Sequence, residues 1–290
     1  MKKVSIILPV YNGEEYLNNL IPKIRNQQLD MEIEIIAAVS KSKDNSLLVA
    51  DNLCDITYSV GNFNHAKTRH EAVLKSSGEY LVFITQDITP FNEYWLHNLI
   101  TPLLEGKEIV ATYSRQIAYN ESSYTEELVR KFNYPNYDRV CNKNTKVKWG
   151  RKNIFYSDAS SATTRAVFLN LGGYDFEIET NEDVIFALNV IESGKSILYN
   201  SNSKIYHSHD FRIREVFERY KLIGSFEQKY KDQLKDYSSL GEGKKLLFYL
   251  TTALIKKFKI KELFLLGIDM PTRYIGYKIG YKKAIQRNYK

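Results

Sequence analysis

From Val4 to Tyr113 the chain alternates short β-branched apolar runs with segments of helical period, and this alternation limits the fold more than any other feature. Val4–Val10 reads as a buried strand that stops at the Tyr11-Asn12-Gly13 turn. Tyr16, Leu17, Leu20, Ile21 and Ile24 then fall on one helical face. The pattern repeats. Strands are predicted at residues 32–39, 56–60, 79–84 and 108–113, and helices at 43–52, 66–76 and 91–104, with Gly78 read as a helix stop. Strand–helix alternation of this kind predicts a largely parallel sheet with helices on both faces. Ligands of such sheets bind beyond the carboxyl ends of the strands. The residues to inspect are therefore Tyr11, Asn12, Ser40, residues 62–65, and Thr85-Gln86-Asp87.

Residues 118–151 are polar and rich in Tyr and Asn, and predict long loops with one helix over 124–132. A strand at 154–157, a helix at 164–169, a turn at Gly172-Gly173, a helix at 181–193 and two short strands at 195–199 and 204–207 follow. From Arg212 onward the sequence becomes amphipathic and rich in Lys and Tyr, which places a boundary there: a domain over 1–212 and a helical extension over 213–290. Leu246, Leu247, Leu250, Leu254 and Phe258 fall near one face of this extension. It either lies among membrane headgroups or packs on the main domain or a second subunit. No apolar run reaches the ~18 residues of a spanning helix.

The net charge of +7 attracts phosphate in any form. No zinc-finger spacing and no RRM or KH signature is present, so nucleic acid is not the expected partner. A dinucleotide-binding dehydrogenase is excluded by the lack of G-x-G-x-x-G after the first strand. Cys54 and Cys141 have no metal-ligand spacing and read as reduced thiols of a reducing compartment, which predicts a cytoplasmic protein.

Four groups could carry chemistry. Asp87, just past a strand, either holds a hard cation against a diphosphate or caps the following helix. His207 and His209 lie two apart at a strand end, so both imidazoles project to one side, towards phosphate or metal. Glu182-Asp183 opens a helix, where carboxylates favour the dipole and where one could also serve as a general base. His65, Lys67 and Arg69 surround a strand-to-helix junction suited to an anion.

Taken in order, these segments resemble family 2 glycosyltransferases of GT-A fold. Val4–Asn12 looks like the opening strand of that family. Phe63–Arg69, Gly78–Asp87, Lys131–Pro135, Gly172-Gly173-Tyr174, Glu182-Asp183 and Tyr206–His209 are similar to its bacterial rhamnosyltransferase branch. The resemblance covers residues 1–220. It implies an inverting transfer from a nucleotide sugar, with dTDP-L-rhamnose favoured, to a glycan or lipid-linked acceptor, with a divalent cation (Mg²⁺ or Mn²⁺) as cofactor. Asp87, His207 and His209 would serve the metal, and Asp183 would be the catalytic base. Pro9, Tyr11, Asn12, Ser40, His65, Arg69, Gln86, Asp87 and Glu182 would contact the donor. One position departs from the pattern: Val39 stands where relatives carry the acidic residue that reads the base, and leaves Ser40 or a backbone carbonyl to do so.

Overall fold

The computed structural model describes residues 2–105, 108–176, 178–237 and 240–288. The elements run β1 (Lys3–Val10), α1 (Glu14–Arg25), β2 (Glu32–Ser40), α2 (Ser46–Leu53), β3 (Ile56–Val60), α3 (His65–Lys75), β4 (Tyr80–Ile84), β5 (Thr89–Pro90), α4 (Trp95–Glu105), β6 (Ile109–Ile117), α5 (Tyr124–Asn133), β7 (Arg139–Cys141), α6 (Lys146–Trp149), β8 (Ser160–Thr164), α7 (Arg165–Asn170), α8 (Glu182–Glu192) and β9 (Ser196–Tyr206). Four helices close the chain: α9 (Ile213–Lys229), α10 (Lys231–Leu234), α11 (Leu240–Lys256) and α12 (Ile260–Asn288).

The strands form one sheet in the order β3-β2-β1-β4-β8-β6-β9-β5, with β7 also paired to β9. β1, β2, β3 and β4 are mutually parallel, as are β6 and β9. β8 runs antiparallel to both of its neighbours, β4 and β6. The expected alternation therefore holds over the first half, and one reversed strand joins it to the second.

The two-residue period of β1 distributes its side chains to opposite faces. Val4, Ile6, Leu8 and Val10 pack with Leu17, Leu20, Ile21 and Ile24 of α1, while Ile7 joins Leu81 and Phe83 of β4 in the core beneath α3 and α8. Both faces of the sheet are thus covered, which explains why β1 and β4 are nearly continuous apolar runs.

Three expectations need correction. The strand placed at 154–157 is a short 3-10 segment followed by loop, and the strand itself is Ser160–Thr164, made of small polar residues. The two strands expected at 195–199 and 204–207 are one, β9, interrupted by a register shift opposite Ser114 and Arg115. Gly78 does not stop α3, which ends at Lys75. A Cβ at Gly78 would lie 2.5 Å from Ser5 Oγ, so the glycine is required by strand packing.

The C-terminal helices are joined to the main body. Phe226, Leu234 and Tyr237 belong to its larger core, and Arg151 pairs with Glu227 at 2.7 Å. α9 and α12 approach at backbone contact: a Cβ on Gly280 would sit 1.8 Å from the Lys221 carbonyl oxygen, and one on Gly224 2.0 Å from that of Tyr277. Leu250, Leu254 and Leu266 pack on Leu128 of α5. Leu247 and Phe258, expected on the same face as Leu250 and Leu254, are exposed instead.

Candidate active site

Two clusters of charge lie at the carboxyl edge of the sheet. The first is built by the ends of β4 and β9. Asp87 Oδ2 lies 3.5 Å from His207 Nε2 and 3.4 Å from His209 Nε2, and the three ligand atoms all fall within 4.8 Å of one another. α4 begins only at Trp95, so Asp87 caps no helix. The two imidazoles meet edge to face with centroids 4.6 Å apart.

Gln116, at the end of β6, decides which nitrogen of His207 carries hydrogen. Its Oε1 accepts from the Arg130 guanidinium, which can only donate, and its Nε2 donates to Ser157 Oγ at 2.9 Å. His207 Nδ1 therefore donates to the same Oε1, at 2.9 Å, and Nε2, which in the neutral ring carries the lone pair, is turned towards Asp87. That nitrogen is buried and has no hydrogen-bond partner. A lone pair facing a carboxylate across this distance is repulsive unless a cation lies between them. The donor set fits a divalent ion, with an imidazole oriented through its far nitrogen in the manner of metal-ligating histidines.

The electrostatics favour the same assignment. Burial opposes ionisation of Asp87, but hydrogen donation and positive charge from the His207 side, then Thr85 and His209, hold the carboxyl well below the usual carboxylate range, and a cation held between neutral rings and Asp87 would act in the same sense. Burial, His207 and the cations Arg130 and Arg219 push His209 down to about 4 despite Asp87, which leaves the imidazole neutral and able to coordinate.

The second cluster surrounds the start of α8. Asn181, in the left-handed region at φ 66°, turns the chain so that Glu182 and Asp183 open the helix. Arg69, only 4% exposed, reaches Glu182 Oε1 at 3.3 Å and Asp158 Oδ2 at 3.7 Å. Asp158 also accepts from Ser161 Oγ and from the Tyr174 hydroxyl, each at 2.7 Å. The Gly172-Gly173 turn, with both φ positive, delivers Tyr174 to this contact. One guanidinium thus faces two buried carboxylates. Burial raises the Asp158 carboxyl to about 6, with Arg69 opposing and Glu182 reinforcing the shift. Burial, then Glu182 and Asp158, raise Asp183 well above the usual carboxylate range.

The remaining predicted residues line the β1 and β2 ends. Tyr11 is exposed just beyond Pro9 and the end of β1. Gln86 is fully engaged with the Tyr11 backbone, its Oε1 accepting from the amide and its Nε2 donating to the carbonyl, each at 2.9 Å. Asn12, at φ 44°, accepts from Lys43 N at 2.8 Å, and its own amide donates to Ser42 Oγ, so the first two turns are tied together. Val39 is buried, and the buried Ser40 hydroxyl has no partner. A cavity of about 590 Å³ opens between Asn12, Tyr16, Asp44, Gln86 and Tyr119.

Arg69 was expected at the donor diphosphate. It is buried in ion pairs instead, because two of the carboxylates that ring it would otherwise lack a cation. His65, exposed at the start of α3, lies 3.9 Å from Glu182 Oε1. Four residues that sequence reasoning did not single out complete the site: Gln116, Arg130, Asp158 and Arg219. Arg219 stands on α9 over the Phe211 ring, and its charge bears on both His65 and His209, so it spans the two clusters. Arg130 carried a signal, the i,i+4 spacing to Glu126, whose carboxylate it meets at 2.6 Å.

A mostly parallel sheet that gathers Asp87, His207 and His209 at one strand end, with Glu182 and Asp183 opening a helix, has the layout of GT-A architecture. The model of glycosyl transferase family 2 matches residues 5–172. The chain belongs to that family and is a glycosyltransferase. It is 28% identical to the O-antigen chain rhamnosyltransferase RfbN of Salmonella typhimurium, over 96% of this chain and 89% of the relative. It is 27% identical to WbaN of Salmonella anatum, an enzyme of the same description, over 97% and 90%. Among solved structures, the mannosyltransferase PcManGT of Pyrobaculum calidifontis, in complex with GDP-Man and Mn²⁺, superposes with a TM-score of 0.58 at 15% identity, over 94% of this chain and 73% of the other. Residues 1–349 of TarS from S. aureus with UDP-GlcNAc give 0.55 at 15% identity, over 99% and 92%. These two share the fold.

Proposed function

We propose that the protein transfers L-rhamnose from dTDP-L-rhamnose, with inversion, onto a glycan of a bacterial surface polysaccharide, carried on a lipid during assembly. The observation that carries the reading is the division of labour at the site: two histidines around an ionised Asp87 on one side, and Asp183, with raised proton affinity, on the other. The choice of sugar rests on similarity to the two O-antigen rhamnosyltransferases.

Asp87, His207 and His209 would hold the cofactor, and the mixed nitrogen and oxygen ligand set suits Mn²⁺ better than Mg²⁺, which prefers oxygen alone. A divalent ion there supplies neutralisation of the charge that develops on the leaving diphosphate. Arg219 adds positive charge from above the site. Pro9, Tyr11 and Asn12 receive the nucleoside, and the unpartnered Ser40 hydroxyl accepts from the base in place of the acidic residue that Val39 replaces. Asp183 takes the proton of the acceptor hydroxyl as its oxygen bonds to the anomeric carbon, while the bond to the diphosphate breaks and its electron pair leaves with the diphosphate. Glu182 and Asp158 keep Asp183 basic, and Arg69 holds those two in place. His65 faces Glu182 at the donor side.

The test is release of dTDP from dTDP-L-rhamnose in the presence of lipid-linked glycan extracted from bacterial membranes. Asp183→Asn should lower turnover by about 10²–10⁴-fold and leave nucleotide binding intact. Turnover of a UDP- or GDP-sugar in place of dTDP-L-rhamnose would overturn the donor, and near-normal turnover by Asp183→Asn would overturn the base.

A further inference from the structure

α11 and α12 form a hairpin whose two faces differ. The inner face is closed by Leu250, Leu254 and Leu266 on Leu128 of α5. The outer face and the turn carry large apolar side chains in solvent: Phe258 is 87% exposed, Phe248 76%, Ile260 75% and Phe264 68%, with Ile255 and Ile268 continuing the surface. Ile260, Phe264 and Ile268 repeat every four residues, so they line one stripe of α12. Phe258, in the left-handed region at φ 51°, stands at the tip of the turn.

The charges around this surface are predominantly positive. Between residues 244 and 268 there are six lysines and one glutamate. Lys256, Lys257, Lys259 and Lys261 flank Phe258 and Ile260 directly, and all four are exposed. Glu262 lies 3.7 Å from Lys259 Nζ, so the only acidic side chain of the stretch is drawn to one of the lysines. No helix among the described residues is long and apolar enough to cross a membrane.

We propose that the α11–α12 turn docks on an anionic lipid bilayer, with Phe258, Ile260 and Phe264 entering the acyl boundary and the flanking lysines meeting the headgroups. A protein partner would need a complementary acidic rim around an apolar pocket, whereas an anionic bilayer offers negative charge above hydrocarbon. The pairing of apolar tips with basic collars matches interfacial anchoring. The hairpin rests on α5, which carries Arg130, so docking would hold a wall of the site next to the lipid surface. The inference goes beyond the transfer reaction and does not depend on which sugar is moved.

The experiment is vesicle flotation of the full-length chain on phosphatidylcholine alone and on phosphatidylcholine mixed with phosphatidylglycerol, at low and high salt, with light scattering to give the oligomeric state. The wild type should float with the anionic vesicles, and less so at high salt. Phe258→Ser with Phe264→Ser should reduce the partition coefficient at least about tenfold, with the thermal melt and nucleotide binding unchanged. Both side chains are exposed, so the variant should fold. Lys256→Glu with Lys257→Glu should abolish the preference for phosphatidylglycerol. Equal and weak flotation of wild type and variants would overturn the proposal. So would a wild-type dimer that the Phe variant dissociates without any vesicle binding, which would make the face an interface between copies. Retained nucleotide binding in each case keeps this outcome separate from the fate of the catalytic reading.

Discussion

Replacing Arg69 with glutamine tests the electrostatic account of the second cluster. The substitution keeps side-chain bulk and removes the one cation that faces Asp158 and Glu182, at 3.7 and 3.3 Å. Breaking a buried pair by removing one partner costs about 3–5 kcal/mol, because the other charge is left uncompensated. At about 2–4 °C per kcal/mol for a chain of this size, the melting temperature should fall by roughly 10 °C. The deficit depends on pH in a fixed direction. Asp158, at about 6, and Asp183, raised further, bind protons in the folded chain at pH values where the unfolded chain has released them. Such groups lose folding stability as pH rises from the unfolded carboxylate value, about 4, through the folded one. Without Arg69 both values rise again, so the variant should be impaired more at about pH 8 than at about pH 5, where protonation relieves it. Thermal melts of wild type and Arg69→Gln at the two pH values read this directly. A loss below about 2 °C at the higher pH, or the same loss at both, would refute the reasoning.

Two further outcomes follow from the same geometry. Gln116→Leu removes the acceptor that fixes the His207 tautomer and should weaken Mn²⁺ binding by about 10–100-fold, read by electron paramagnetic resonance of free Mn²⁺, with Gln116→Glu retaining it. The acid limb of the kcat/KM profile should lie above the ordinary carboxylate range, because Asp183 must be deprotonated to accept the hydroxyl proton; Glu182→Gln, which removes a negative neighbour, should move that limb to lower pH.

The sheet was legible where burial is written in apolar side chains and hidden where it is not. β1, β2, β3 and β4 were placed to within a residue by their Val and Ile runs. β8 was missed because Ser160–Thr164 fills the centre of the sheet with hydroxyls, and its polar side chains are satisfied internally: Thr163 Oγ1 donates to the Val110 carbonyl, and Ser160 Oγ meets Trp95 Nε1. β9 looked like two strands because Asn200–Ser203 bulges out of register without leaving the sheet. At the candidate site, Asp87, His207, His209 and Asp183 stand out in the sequence because each sits at the end of an element. Asp158 could not, since it lies in a loop before a strand that the hydrophobic pattern does not mark. Gln116 lies beyond the point where the predicted strand ended. Arg69 reads from sequence as an anion contact, and only the tertiary structure shows the buried Asp158 and Glu182 beside it. In the tail, the leucine spacing gave a helix, but only tertiary contact shows that Leu250 and Leu254 turn inward and Phe258 outward.

The central claim is that Asp87, His207 and His209 form the cation site of a dTDP-sugar transferase. Calorimetry of dTDP, UDP and GDP binding with and without Mn²⁺, on wild type and Asp87→Ala, tests it most directly. The account predicts Mn²⁺-dependent binding strongest for dTDP and lost in Asp87→Ala. Nucleotide binding that ignores Mn²⁺, or that survives unchanged in Asp87→Ala, would contradict it.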